Sequence, residues 1–227
     1  MISRALLSVI FAGVIGGVLV TGAQQLRVAP LILHAETFEG EVVEHTHEEE
    51  GWVPADGLER TLYTGMSNIV TGVAFALLLV AVYLLRGKPV DFNTGLLWGV
   101  AGFVVFAGAP ALGLPPELPG MTVAALEARQ AWWIGTVIAT ALGIGLFVET
   151  KTLLPRLLGV VAIVLPHIIG APHPHVLESN IPAELSAQFA VASLYTSAFF
   201  WMVLGAASGY FFQKLVSADS QLKAAPA

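Results

Sequence analysis

The chain has 227 residues, of which 56% are hydrophobic and 11% charged, with a formal net charge of −6 and no cysteine. A mean hydropathy of +0.78 is too apolar for a soluble domain of this size and sets the class as a polytopic membrane protein. The missing cysteines exclude disulfides, thiolate metal sites and thiol nucleophiles, and the lack of any basic cluster excludes nucleic acid as a partner.

Six apolar runs follow one another, at roughly 5–26, 62–85, 94–113, 131–149, 153–171 and 188–212. Each is close to the roughly 20 residues that cross about 30 Å of hydrocarbon as a helix. The first, with Arg4 before it and Thr21, Gly22 and Ala23 at its end, has the outline of a signal peptide. It runs past the usual apolar length, and Gly13, Gly16 and Gly17 read as helix-packing positions, so a retained helix is expected. The fifth run carries Arg156 near its start and Pro166 inside. It is expected to span, with a re-entrant or tilted segment as the alternative. The expected fold class is therefore all-α, a polytopic membrane helix bundle of about six transmembrane helices (five possible), forming a single membrane domain over 1–227.

Three longer connections separate the runs. Segment 29–60 is read as a long, acidic, histidine-containing external loop. Segments 114–130 and 172–187 are shorter external loops, the first Pro-rich and then helical at the membrane interface. With the N-terminus inside, seven of the ten basic residues (Arg4, Arg86, Lys88, Lys151, Arg156, Lys214, Lys223) fall in cytoplasmic segments and three (Arg27, Arg60, Arg129) outside. Both termini are then cytoplasmic. Thirteen of the sixteen carboxylates face outward, nine of them in 29–60.

All six histidines lie near that outer side. His45-Thr46-His47 is followed by Glu48, Glu49 and Glu50. In an extended segment, residues i and i+2 point the same way, so His45 and His47 could chelate one ion with Glu48. Imidazole with carboxylate suits borderline divalent ions such as cobalt, nickel and zinc. The alternative is a solvated acidic loop with incidental histidines. His167, His173 and His175 form a second group, in which Pro172 and Pro174 favour an extended stretch. There the alternative is prolines that merely end the fifth helix. Glu117, Glu127 and Arg129 form a third group, for which an ion pair between Glu127 and Arg129 is the bland reading. Trp132 and Trp133 read as an interfacial aromatic belt. Gly13 with Gly17, Gly205 with Gly209, and Gly135, Ala139 and Gly143 have the spacing of close helix contacts, within one chain or with a second copy.

Several chemistries find no support. There is no GxxxxGK[ST], HExxH or GxSxG, so ATP hydrolysis, metalloprotease and serine-hydrolase readings have no motif, and no enzyme is expected. No Asp, Glu or Lys sits near the middle of a run. A path through the membrane would use Ser67, Asn68, Thr71, Thr136, Thr140 and backbone carbonyls.

The segments GWVPADGLERTLYT (51–64), ALGLPPELPG (111–120), ARQAWW (128–133) and LPHIIGAPHPH (165–175) resemble the CbtA family of cobalt transporter subunits. The likeness covers nearly the full length. It implies cobalt uptake, linked to cobalamin supply, across a bacterial inner membrane beside a small single-span partner with a histidine-rich end, CbtB. It marks Trp52, Asp56, Glu59, Arg60, Glu117, Arg129, Gln130, Trp132, Trp133, His167 and His173. The resulting expectation is a subunit that admits Co²⁺ as its substrate ion, with no organic cofactor. His45, His47, Glu48, His173 and His175 would capture the ion outside, and His167 and Glu117 would stand at the entrance to the bundle. Contact with the lipid bilayer is a given, and a homo-oligomer fits. A metal-sensing or metal-binding module that does not conduct is the competing class.

Overall fold

The computed structural model describes residues 2–38, 54–174 and 179–217. It is all-helical, with no strand among the described residues. Seven helices follow in order: α1 (Ile2–Arg27), α2 (Ala29–Glu36), α3 (Leu58–Arg86), α4 (Phe92–Ala111), α5 (Leu126–Glu149), α6 (Leu153–Ile169) and α7 (Ala183–Phe212), the last continued by a π-helical turn, Gln213–Ser217. Five of them, α1, α3, α4, α5 and α7, are long and apolar enough to cross a membrane. The chain is a multi-pass membrane protein.

The fifth expected span is shorter than its apolar run. Helix α6 has 17 residues because Gly170, at φ +89°, turns the backbone out of the helix before the prolines are reached. The segment after α1 also departs from the expected loop. Pro30 starts a helix, and Leu31, Ile32 and Ala35 give it an apolar face that packs with Leu118, Ile181 and Leu185. The helical part of 114–130 is no separate interfacial element. It is the first turn of α5, which begins at Leu126.

The chain divides into two compact units. The first draws on Met1–Arg27, His47–Val100 and Tyr195–Ala227. Its helices meet along glycine seams. A Cβ on Gly13 would lie 2.5 Å from the backbone nitrogen of Val73, and one on Gly17 2.5 Å from Cα of Ile69. As numbering rises on α1 it falls on α3, so the two are antiparallel. A second seam sets Gly95 and Gly99 of α4 against Gly205 and Gly209 of α7, where a Cβ on Gly205 would lie 2.5 Å from Cα of Gly99. Backbones come this close because at least one residue of each pair lacks a side chain. Both GxxxG pairs are thus used inside the chain.

Polar side chains fasten these seams. The Asn68 amide donates to Thr21 Oγ1 (3.0 Å) and Gln24 Oε1 (2.7 Å), tying α3 to α1. Tyr83, 1% exposed, shares a hydrogen bond with Ser208 (3.0 Å) and packs its ring on Trp98 and Phe212. The Arg86 guanidinium lies 5.0 Å over Trp98. Gly87, left-handed at φ 60°, ends α3 and donates its N–H to Tyr83 O. Asp91 opens α4, its carboxylate accepting the Thr94 N–H at 2.8 Å.

The second unit draws on Val28–Thr46 and Ala101–Leu194. Its centre is the antiparallel pair α5 and α6. Gly143 and Gly159 meet backbone to backbone, with a Cβ on Gly143 falling 2.5 Å from Gly159 O. Gly135, expected on the same small face, has nothing within 4 Å. Helix α4 changes pitch at Val104–Gly108, a π-helical turn just ahead of Pro110. Pro110 brings no N–H and crowds the preceding turn, and a widened turn relieves both problems. The segment Leu112–Gly120 then leaves the helix. It is anchored by Leu118 in a buried cluster with Val28, Ala35, Ile181, Leu185 and Phe189.

Candidate functional site

The second unit gathers four of the residues singled out from sequence: Glu117, Arg129, Trp132 and His167. Arg129 and Trp132 stand three apart on α5, one turn from each other on one face. Pro166 and His167 lie in the last turn of α6. Pro166 has no N–H to continue the ladder, but its carbonyl is used twice. It accepts the Gly170 N–H at 3.0 Å and the Trp132 indole N–H at 3.2 Å. That second bond fixes the indole against α6, and the Trp132 and His167 rings then lie 5.9 Å apart. Gly113 lies close against the other part of the indole. A Cβ there would fall 2.7 Å from Trp132 Cζ2 and 2.9 Å from Ala171 Cβ.

His167 is held in this packing with both ring nitrogens buried and neither hydrogen-bonded. A neutral imidazole carries one N–H donor and one lone pair, and leaving both idle away from water costs about 1–3 kcal/mol each. The lone pair of such a group is chemically available to a Lewis acid. Below it on the same face of α5 are Thr136 and Thr140, both 0% exposed. The Thr136 hydroxyl donates back to Trp132 O at 2.9 Å, while Thr140 Oγ1 has no partner.

One turn from Trp132, Arg129 Nη2 donates to Glu117 Oε2 in a part-buried ion pair. This corrects the expected pairing of Arg129 with Glu127, which is exposed. Residues 127 and 129 are two apart on a helix and face different ways, whereas the Pro-rich segment returns Glu117 to the Arg129 face. Arg129 Nε is buried without a partner.

The other expected residues are not brought to this place. His173 is exposed, beyond Gly170 in the non-helical stretch that its flanking prolines predict. Gln130 is exposed, and Trp133, 38% exposed, sets its ring 6.4 Å from Phe106. In the first unit Asp56 and Arg60 form their own pair at 3.1 Å at the start of α3, with Glu59 exposed beside them. His45, His47, Glu48, Trp52 and His175 lie outside the described residues. Among the described residues no three His, Asp or Glu converge as a metal cage.

Two contributors were not read from sequence. Gly113 makes room for the indole, and the Pro166 carbonyl orients it. A proline inside an apolar helix was the available sign of the second. Nothing local marks the first.

Neither the curated proteins nor the solved structures include a match to the chain. A family model does match, over residues 2–213, and its description is that of a probable cobalt transporter subunit. All the residues of the Glu117–Arg129–Trp132–His167 group fall inside that span, and so does every helix; the chain belongs to the CbtA family.

Proposed function

We propose that this protein is the membrane subunit of an uptake system for a divalent metal ion, Co²⁺, and that His167 receives the ion as it enters the helices. The observation that carries this reading is the His167 imidazole. Its two ring nitrogens are buried and unpartnered in a chain whose family is described as a probable cobalt transporter subunit. Neutral imidazole binds cobalt well, and a single buried ligand suits passage better than a full cage, which would retain the ion. Glu117, paired with Arg129 one helical turn from Trp132, adds a carboxylate to this group of residues.

Ahead of this point the ion is collected by the histidine- and glutamate-rich segments 29–60 and 172–187, through His45, His47, Glu48, His173 and His175. The distribution of basic residues supports an outward position for these segments at a bacterial inner membrane. The cooperating subunit is a small single-span CbtB-type protein with a histidine-rich end. The potential is worth about 2.3 kcal/mol per charge per 100 mV, doubled for a dication, so entry runs downhill without a nucleotide. No catalytic step is required.

Radioactive cobalt uptake by cells making the protein, with and without the single-span partner, tests this. Uptake is expected to need the protein and to collapse in His167→Ala. A variant with His45, His47, His173 and His175 all changed to Ala is expected to lose uptake at low external cobalt and to recover at high cobalt. Binding at the surface with no accumulation would make the chain a metal-sensing or metal-binding module instead. Accumulation unaffected by His167→Ala would remove His167 from the path.

A further inference from the structure

We infer that Arg129 is a resident counter-cation: it occupies Glu117 until a divalent ion reaches His167, and it then gives the carboxylate up to that ion. This rests on the reading that His167 takes the substrate metal.

Four observations carry it. First, the pair is made through a single point, Arg129 Nη2 on Glu117 Oε2, where a guanidinium and a carboxylate commonly pair through two. Second, Arg129 Nε is buried with no acceptor, so the arginine is under-satisfied where it lies. A staple selected only for strength would use the second arm of the fork. Third, the two partners differ in freedom. Glu117 follows Pro115 and Pro116, precedes Pro119, and is next to Leu118, which is 3% exposed in the buried cluster. Arg129 is a long side chain on the first turn of α5, 30% exposed. When the pair opens, the arginine moves and the carboxylate stays. Fourth, the pair is one helical turn from Trp132, whose ring faces the unpartnered His167 imidazole.

Charge decides the rest. A dication approaching His167 meets a fixed positive charge if Arg129 remains, and a free carboxylate if Arg129 swings away. The exchange halves the net positive charge that the metal would otherwise bring to the place, because the guanidinium leaves as the dication arrives. It also sets a threshold. An ion must offer Glu117 more than a guanidinium does, and must bond imidazole as well. Sodium and potassium fail the first condition and magnesium the second. Arg129 is thus a specificity-determining residue that never touches the ion.

The test is equilibrium binding of Co²⁺ to the purified full-length protein, with Mg²⁺ as competitor. Arg129→Gln is expected to tighten Co²⁺ binding roughly five- to tenfold, the value of a part-buried ion pair, and to leave Mg²⁺ a poor competitor, since Mg²⁺ fails at the imidazole with or without Arg129. The double change Glu117→Gln with Arg129→Gln is expected to cancel the gain. Unchanged or weaker Co²⁺ binding in folded Arg129→Gln, with binding still dependent on His167, would overturn the proposal and leave the pair a structural staple. A second measurement uses the wild-type protein and needs no variant to fold. Phenylglyoxal labelling of Arg129, read by mass spectrometry, is expected to rise with Co²⁺ and not with Mg²⁺. Labelling that ignores bound Co²⁺ would also overturn it. Co²⁺ binding that is indifferent to His167→Ala would instead defeat the reading on which the inference rests.

Discussion

The two units differ in degree in how their buried polar groups are paired. In the first, Tyr83 is paired with Ser208, and Asn68 with Thr21 and Gln24, between backbones drawn together by glycine. In the second, His167, Thr140 and one nitrogen of Arg129 are buried with nothing to bond. An apolar bundle gains nothing from idle polar atoms, since each one costs more buried than solvated. Paired groups inside a membrane helix need no further role than holding helices together. The two idle nitrogens of His167 are what the proposed function makes use of.

The largest effect that would break this contrast lies in the first unit. Gly205→Val puts a branched side chain where even a Cβ would reach Cα of Gly99 at 2.5 Å. The seam cannot close, and a loss of more than about 3 kcal/mol is expected, read as failure to recover monodisperse protein. In the second unit His167→Leu should do the reverse. It fills the same space without idle nitrogens, so stability should rise by about 1 kcal/mol in thermal unfolding while cobalt uptake falls roughly tenfold or more. A stable variant that still transports would show that the unpaired nitrogens have no part in transport. Tyr83→Phe should cost about 1 kcal/mol by losing the Ser208 bond and leave uptake at the wild-type level.

The smallest effect concerns Asp91. The Thr94 N–H holds its carboxyl below the usual aspartate range. Its folded value is lower than its unfolded one, so its contribution to stability is complete above about pH 3.9 and fades as pH falls through the lower folded value. Asp91→Ala should therefore lower the unfolding midpoint slightly at neutral pH, and the gap from wild type should close in acid. Uptake should fall for a different reason and in a different range. Imidazole must be neutral to bind metal, so transport is expected to decline from about pH 7.5 to about pH 5.5. A flat profile there would argue against histidine capture.

Much of the fold was legible in composition. Apolar runs of about 20 residues dictate membrane helices, and GxxxG spacing at Gly13, Gly17, Gly205 and Gly209 announced close contacts before their partners were known. The partners themselves were not legible, because Gly72 and Gly95 stand at helical spacing with no local sign of which helix they face. The fifth run was legible as the least secure span, but where its helix ends was not, because hydropathy continues through Ile169 whereas the stop depends on one left-handed glycine, Gly170. At the candidate site the residue types were readable but the pairing was not. Proximity in sequence favoured Glu127 for Arg129, and only the return of the proline-rich segment makes Glu117 the partner. His167 could be named as a metal ligand from its chemistry, yet its lack of any hydrogen bond is a property of packing.

The π-helical turn at Val104–Gly108 carries a consequence for how related chains are to be aligned. Such a turn accommodates one more residue than an α-turn, and each residue adds about 100° of rotation. A relative lacking one residue there would keep a span of nearly the same length and the same hydropathy. Everything after the deletion would keep its phase about the helix axis, because losing the extra residue restores an α-turn in its place. Gly113 would still meet the Trp132 indole, and the segment bearing Glu117 would still depart from the same side of α4. A one-residue gap in an alignment therefore belongs between positions 104 and 108, where it is absorbed; the same gap elsewhere in α4 would turn every later residue by about 100°.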